Sequence, residues 1–107
     1  KEFRELLDSH GVSYGMFGHV DVGCLHVRPE LNLMDAKDRE IYYEIIEKVA
    51  QLVHKYGGVL WGEHGKGFRS EFVPVFFGEE LYNELRKIKS SCDPFNQLNP
   101  GKIAVPL

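Results

Sequence analysis

The sequence predicts an α+β fold, a mainly antiparallel sheet with helices packed on one face. Two β-rich segments, "VSYGMFGHV" and "CLHVRP", flank a short "DVG" turn, and two longer amphipathic runs follow them. At the start of the chain, Phe3, Leu6 and Leu7 form an apolar stripe that Gly11 terminates, so residues 2–10 read as a helix. The segments at residues 12–20 and 24–29 then form a hairpin, which Pro29 closes. Next, Ile41, Ile45, Val49, Leu52, Val53 and Tyr56 recur at helical spacing, Asp35 stands at the cap with Asp38 three residues on, and Gly57-Gly58 supplies the stop. This is a helix of about five turns. "VLWGEHG" reads as a short buried strand running into a glycine-rich loop. "RSEFVPVFFG" is an apolar segment interrupted by Pro74, and "EELYNELRKIKSSC" is a second amphipathic helix whose acidic start and basic end suit the helix dipole. The tail "DPFNQLNPGKIAVPL" carries three prolines and has no local reason to be ordered, so it is expected to dock on something.

With 107 residues, 43% of them hydrophobic, the chain has the material for one domain over residues 1–107 with a modest core. A net charge of −3 with both signs interspersed argues against a nucleic-acid surface, and no apolar run approaches the length of a membrane span. The two cysteines fit no metal-ligand spacing and have no visible activating partner, so they read as reduced thiols in a cytoplasmic protein. The absence of an initiating Met and the opening in mid-helix suggest a piece of a longer polypeptide.

"GHVDVGCLH" at residues 18–26 sets His19 and His26 around an acidic, glycine-containing turn, and "WGEHGKG" at residues 61–67 places Glu63 and His64 between glycines. If the hairpin pairs residue 19 with residue 26, both imidazoles share one face with Cβ atoms about 4.5 to 5.5 Å apart, a separation that suits one metal ion. A three-residue turn would instead set His19 opposite Leu25. On a strand, the consecutive Glu63 and His64 point to opposite faces, so at most one of them joins the histidines. Two His and one carboxylate form a ligand set used by catalytic zinc and other divalent ions, and the remaining His64 is then available as a base. Against this, a strand histidine is more commonly a hydrogen-bonded structural residue, and the glycines serve equally well as ordinary turn residues. His10 and His54 are expected to be solvated, and Arg28, Lys66 and Arg69 either bind a carboxylate or form solvated surface.

Three segments in linked order, "YGMFGHVDVGCLHVRP", "YGGVLWGEHGKGFRSEF" and "DPFNQLNPGKI", resemble the carboxyl end of the FAD-linked oxidases. That family comprises glycolate oxidase subunits, D-lactate dehydrogenases and D-2-hydroxyglutarate dehydrogenases. The wording is most similar to the large bacterial members of the last group, which carry FAD and an iron-sulfur region on one long polypeptide. The resemblance runs from about Ser13 to Ile103. It implies a ferredoxin-like cap or substrate domain plus a C-terminal tail, covering a flavin held by an upstream FAD-binding domain of the same polypeptide. It further implies a divalent metal, zinc being favoured, on His19, His26 and Glu63. His64 would face the substrate as candidate base, and Asn99 would lie against the flavin. Arg28 stands where some relatives place a substrate-contacting asparagine, which is compatible with a dicarboxylate. The common motif reads G-H-x-G-D-G-N-L-H, whereas here Asp21 replaces the second glycine, Val22 the aspartate and Cys24 the asparagine, so bonds around the ligands must differ. The implied function is oxidation of a D-2-hydroxy acid by hydride transfer to FAD, and the isolated chain is expected to be inactive. The expected setting is cytoplasmic, with peripheral membrane association only through an electron acceptor. The alternative class is a non-catalytic α+β module that binds a metal or small anion.

Overall fold

The computed structural model describes residues 1–107, the side chain of Phe68 excepted. Its elements are α1 (Glu2–Ser9), β1 (Tyr14–His19), β2 (Cys24–Pro29), α2 (Ala36–Lys55), a 3-10 helix (Gly67–Phe72) and α3 (Val73–Cys92). The chain divides into two compact units, Lys1–Gly62 and Glu63–Leu107.

In the first unit, α1 ends where Gly11, at φ +65°, turns the chain and the backbone N–H of Val12 bonds back to Leu7 O. β1 and β2 then pair antiparallel, Tyr14 opposite Pro29 and His19 opposite Cys24. α2 starts where the sequence places it, with the Asp35 carboxylate accepting from the backbone N–H groups of Lys37 and Asp38 at 2.8 and 3.2 Å. The core joins α1, the first residue of the hairpin approach and α2 through Leu7, Val12, Ile45 and Val49, with Tyr14, Val27, Ile41 and Val53 packed around them. Leu7 is fully buried, a burial that contributes about 1.5 to 3 kcal/mol. A polar pin adds to this contact, since Lys55 Nζ reaches Glu2 Oε2 at 2.9 Å and the Tyr56 hydroxyl donates to Glu2 Oε1. Those bonds, the tyrosine's first, hold the Glu2 carboxyl below its usual value.

The α+β class holds, with one two-stranded antiparallel sheet among the described residues. One local expectation fails, and α3 begins earlier than the second amphipathic run. "VLWGEHG" is a series of turns and bends, because Gly62 and Gly65 take φ of +52° and +72°, values that interrupt an extended run. "RSEFVPVFFG" is helical: Pro74 sits in the first turn of α3, where its missing N–H costs nothing, and Gly78 at φ +74° and ψ 167° breaks α3 into two pieces.

In the second unit the tail docks on α3 and the 3-10 helix. Ile103 N–H donates to Ser70 Oγ at 2.7 Å, Arg86 Nη2 donates to Pro106 O at 3.1 Å, and Leu107 N–H donates to Ser90 Oγ at 2.9 Å. The buried Asp93 organises the turn that starts it, accepting from Gln97 N–H and Leu98 N–H at 2.9 Å each and from Lys89 Nζ at 2.5 Å. Three charge-assisted or backbone bonds to one carboxylate give a turn-rich segment the order that its composition does not supply.

Candidate metal centre

The hairpin register decides which side chains meet. His19 lies opposite Cys24 and His26 opposite Phe17, across a four-residue connection at residues 20–23 in which Gly23 takes φ +66°. Neither pairing considered from the sequence, His19 with His26 or His19 with Leu25, occurs: Cys24 faces His19, and the connection is shorter than either of those pairings would leave. The histidines are therefore diagonal neighbours. They still share a face, because a strand alternates with period two: Phe17, His19, Cys24, His26 and Arg28 stand on one side, and Tyr14, Met16, Leu25 and Val27 on the other. Tyr14 and Val27 pack on the helical core. The histidine face is thus the one turned away from α1 and α2.

On that face the His19 and His26 rings lie 5.1 Å apart between centroids and nearly perpendicular, at 84°. Phe17 stacks on His26 at 4.9 Å and 24°, Arg28 Cζ lies 5.2 Å from the centre of the Phe17 ring, and Cys24 Sγ is 3.7 Å from His26 Nε2. Gly18 lets the strands approach this closely, for a Cβ there would stand 2.2 Å from Cys24 O.

Gly62 closes the first unit against the hairpin, and a Cβ on it would lie 3.2 Å from Cys24 Sγ. The residue bonded to it is Glu63. One ligand atom from each of His19, His26 and Glu63 lies within 4.8 Å of the others. Ligands sharing one tetrahedral ion at 2.0 to 2.1 Å are about 3.4 Å apart. Two neutral imidazoles and a carboxylate suit zinc, with manganese and iron also compatible, and such a set leaves coordination positions for water or substrate.

His64 is largely exposed, with Nε2 3.5 Å from Glu63 Oε1. The turn between Gly62 and Gly65 therefore lets the two consecutive side chains approach one another, where a strand would have separated them. Asn99 is exposed in a turn of the tail at φ +45°, its carbonyl accepting from Lys102 N–H at 3.1 Å. His10 departs from its expected solvation: Nδ1 lies 2.8 Å from Leu6 O and Nε2 3.3 Å from Glu44, with 12% of the side chain exposed. Residue types alone do not single out Phe17 and Cys24 as neighbours of His26. The signal that finds them is the period-two alternation, once the four-residue connection is known.

Residues 1–103 match the family described as FAD linked oxidases, C-terminal domain, and the chain belongs to that family. It is 63% identical over 105 residues to the D-2-hydroxyglutarate dehydrogenase of Escherichia coli, a match covering 98% of this chain and 10% of that protein. It is also 35% identical over 102 residues to the D-lactate dehydrogenase of Archaeoglobus fulgidus, covering 94% of this chain and 22% of the relative. A glycolate oxidase subunit of Bacillus subtilis is 29% identical over 108 residues, covering 96% and 22%. The chain thus spans about a tenth of the length of the D-2-hydroxyglutarate dehydrogenases it matches. No solved structure matches it. Among the described residues, no helix is long and apolar enough to cross a membrane.

Proposed function

We propose that this chain is the C-terminal, substrate-facing part of a flavin-dependent dehydrogenase that oxidises a D-2-hydroxy acid of the D-2-hydroxyglutarate or D-lactate type. The observation that carries the reading is the convergence of His19, His26 and Glu63 ligand atoms within 4.8 Å. Support for the substrate class comes from relatives named D-2-hydroxyglutarate dehydrogenase and D-lactate dehydrogenase, the former at 63% identity.

In this reading His19, His26 and Glu63 hold a divalent ion, zinc by preference, and Arg28 offers a guanidinium to a substrate carboxylate. A bound divalent ion supplies Lewis acidity that makes a neighbouring hydroxyl easier to deprotonate. His64 accepts the proton of the 2-hydroxyl, a role that its solvent-exposed imidazole beside Glu63 supports. FAD, held mainly by an upstream domain of the same polypeptide, would supply the hydride acceptor when bound. Asn99 lies against that flavin, and any iron-sulfur cluster belongs to the rest of the polypeptide. The work is cytoplasmic, with electrons passing to an acceptor that places the protein at most peripherally on a membrane.

The test is flavin reduction by D-2-hydroxyglutarate in the full-length protein and in its His64→Ala and Glu63→Ala variants. Retained flavin binding with reduction slowed by about 100-fold or more in both supports the reading, given what a general base contributes. Wild-type reduction in either variant removes that residue from the chemistry.

A further inference from the structure

The ring of Phe17 touches two groups to which the proposed function gives separate duties. It stacks on His26, with centroids 4.9 Å apart and planes inclined by 24°, and the guanidinium carbon of Arg28 lies 5.2 Å from its centre. His26 and Arg28 are two apart on β2, so their side chains leave the strand on the same side, and Phe17 is the residue of β1 directly opposite His26. An imidazole binds a metal through a lone pair in its own plane, so a free ring loses affinity by rotating about its Cβ–Cγ bond. With Phe17 against its face and the His19 ring edge-on at 84°, the His26 plane has little room to turn. The same aromatic face attracts the Arg28 cation and narrows the positions its flexible stem explores.

We propose that Phe17 is a positioning residue of this centre: its ring sets the plane of His26 and the placement of Arg28 together, coupling metal affinity to recognition of the second carboxylate of a dicarboxylic 2-hydroxy acid. The inference rests on the proposed metal and substrate roles of those two residues. Phe17 is half-exposed, on the hairpin face opposite the core residues Tyr14 and Val27, so its replacement leaves the core intact.

The experiment uses the full-length protein stripped by chelator and titrated calorimetrically with Zn²⁺, as wild type, Phe17→Leu, Phe17→Tyr and His26→Ala, with thermal denaturation as the folding control. Partners outside the ligand set are worth about 10- to 100-fold in metal affinity. Phe17→Leu is expected to weaken Zn²⁺ binding by that factor, while Phe17→Tyr, which keeps the ring, binds as wild type. Phe17→Leu also raises KM for a dicarboxylic 2-hydroxy acid more than for a monocarboxylic one, a split that general loosening of the hairpin does not produce. Unchanged Zn²⁺ affinity in Phe17→Leu, with affinity lost in His26→Ala, overturns the role of Phe17 and leaves the metal centre standing. Equal weakening in the leucine and tyrosine variants also overturns it, because the ring is then not what matters. Unchanged affinity in His26→Ala overturns the metal reading and this inference with it.

Discussion

His19 and His26 are diagonal neighbours across the hairpin, their rings 5.1 Å apart and perpendicular to within a few degrees, while the residue facing His19 is Cys24. The pair converges because both side chains leave the same side of the sheet, and Glu63 adds a carboxylate oxygen within 4.8 Å. Replacing any one of the three by Ala is therefore expected to weaken divalent-metal binding by more than the 10- to 100-fold that partners outside the ligand set contribute. Calorimetric titration with Zn²⁺ and Mn²⁺ checks this, and a variant that binds as tightly as wild type removes its residue from the ligand set.

Gly18 and Gly15 lie on the same strand but meet different surroundings. A Cβ on Gly18 would stand 2.2 Å from the Cys24 carbonyl oxygen, whereas one on Gly15 meets nothing within 4 Å. Gly18→Ala is expected to force the strands apart, at a cost of about 1 to 3 kcal/mol, and to weaken metal binding as the histidine face opens. Gly15→Ala serves as the tolerated control. Urea denaturation of the two variants measures the difference.

Leu7 anchors α1 to Val12, Ile45 and Val49 and is fully buried. Leu7→Ala leaves a cavity that α1 fills only by shifting, and the expected loss is about 2 to 5 kcal/mol of unfolding free energy. A change below about 1 kcal/mol, outside that range, would show that α1 does not depend on this contact.

Asp93 carries the pH dependence of the tail. Its bond from Lys89, reinforced by the N–H groups of Gln97 and Leu98, lowers its carboxyl from 3.8 to about 2. A depressed carboxyl stabilises the folded state fully above its unfolded value and loses that contribution as the pH falls through its folded value. The stability advantage of wild type over Asp93→Asn is thus expected to be constant above about pH 4 and to fade toward pH 2. Hydrogen exchange at Gln97 and Leu98 reports the same release locally, and equal protection in both proteins at neutral pH would count against it.

Much of the fold is legible in the sequence because its causes are local. The apolar spacing of Ile41, Ile45 and Val49 and the Asp35 carboxylate define α2 without reference to any other element. The β-rich segments around "DVG" define the hairpin, and the motif resemblance points to His19, His26 and Glu63 as a set.

What tertiary structure decided depends on groups far apart in sequence or on a count that periodicity does not supply. The four-residue connection sets the strand register, and with it the stacking of Phe17 on His26 and the approach of Cys24 Sγ to His26 Nε2. "VLWGEHG" has the residue types of a strand, yet Gly62 and Gly65 adopt left-handed dihedrals and the segment turns instead. The tail lacks local order until Ser70, Arg86, Ser90 and Asp93 accept or donate to its backbone. Local propensity wrote the helices and strands; pairing register, glycine dihedrals and long-range hydrogen bonds, whose energies depend on partners distant along the chain, chose which side chains meet.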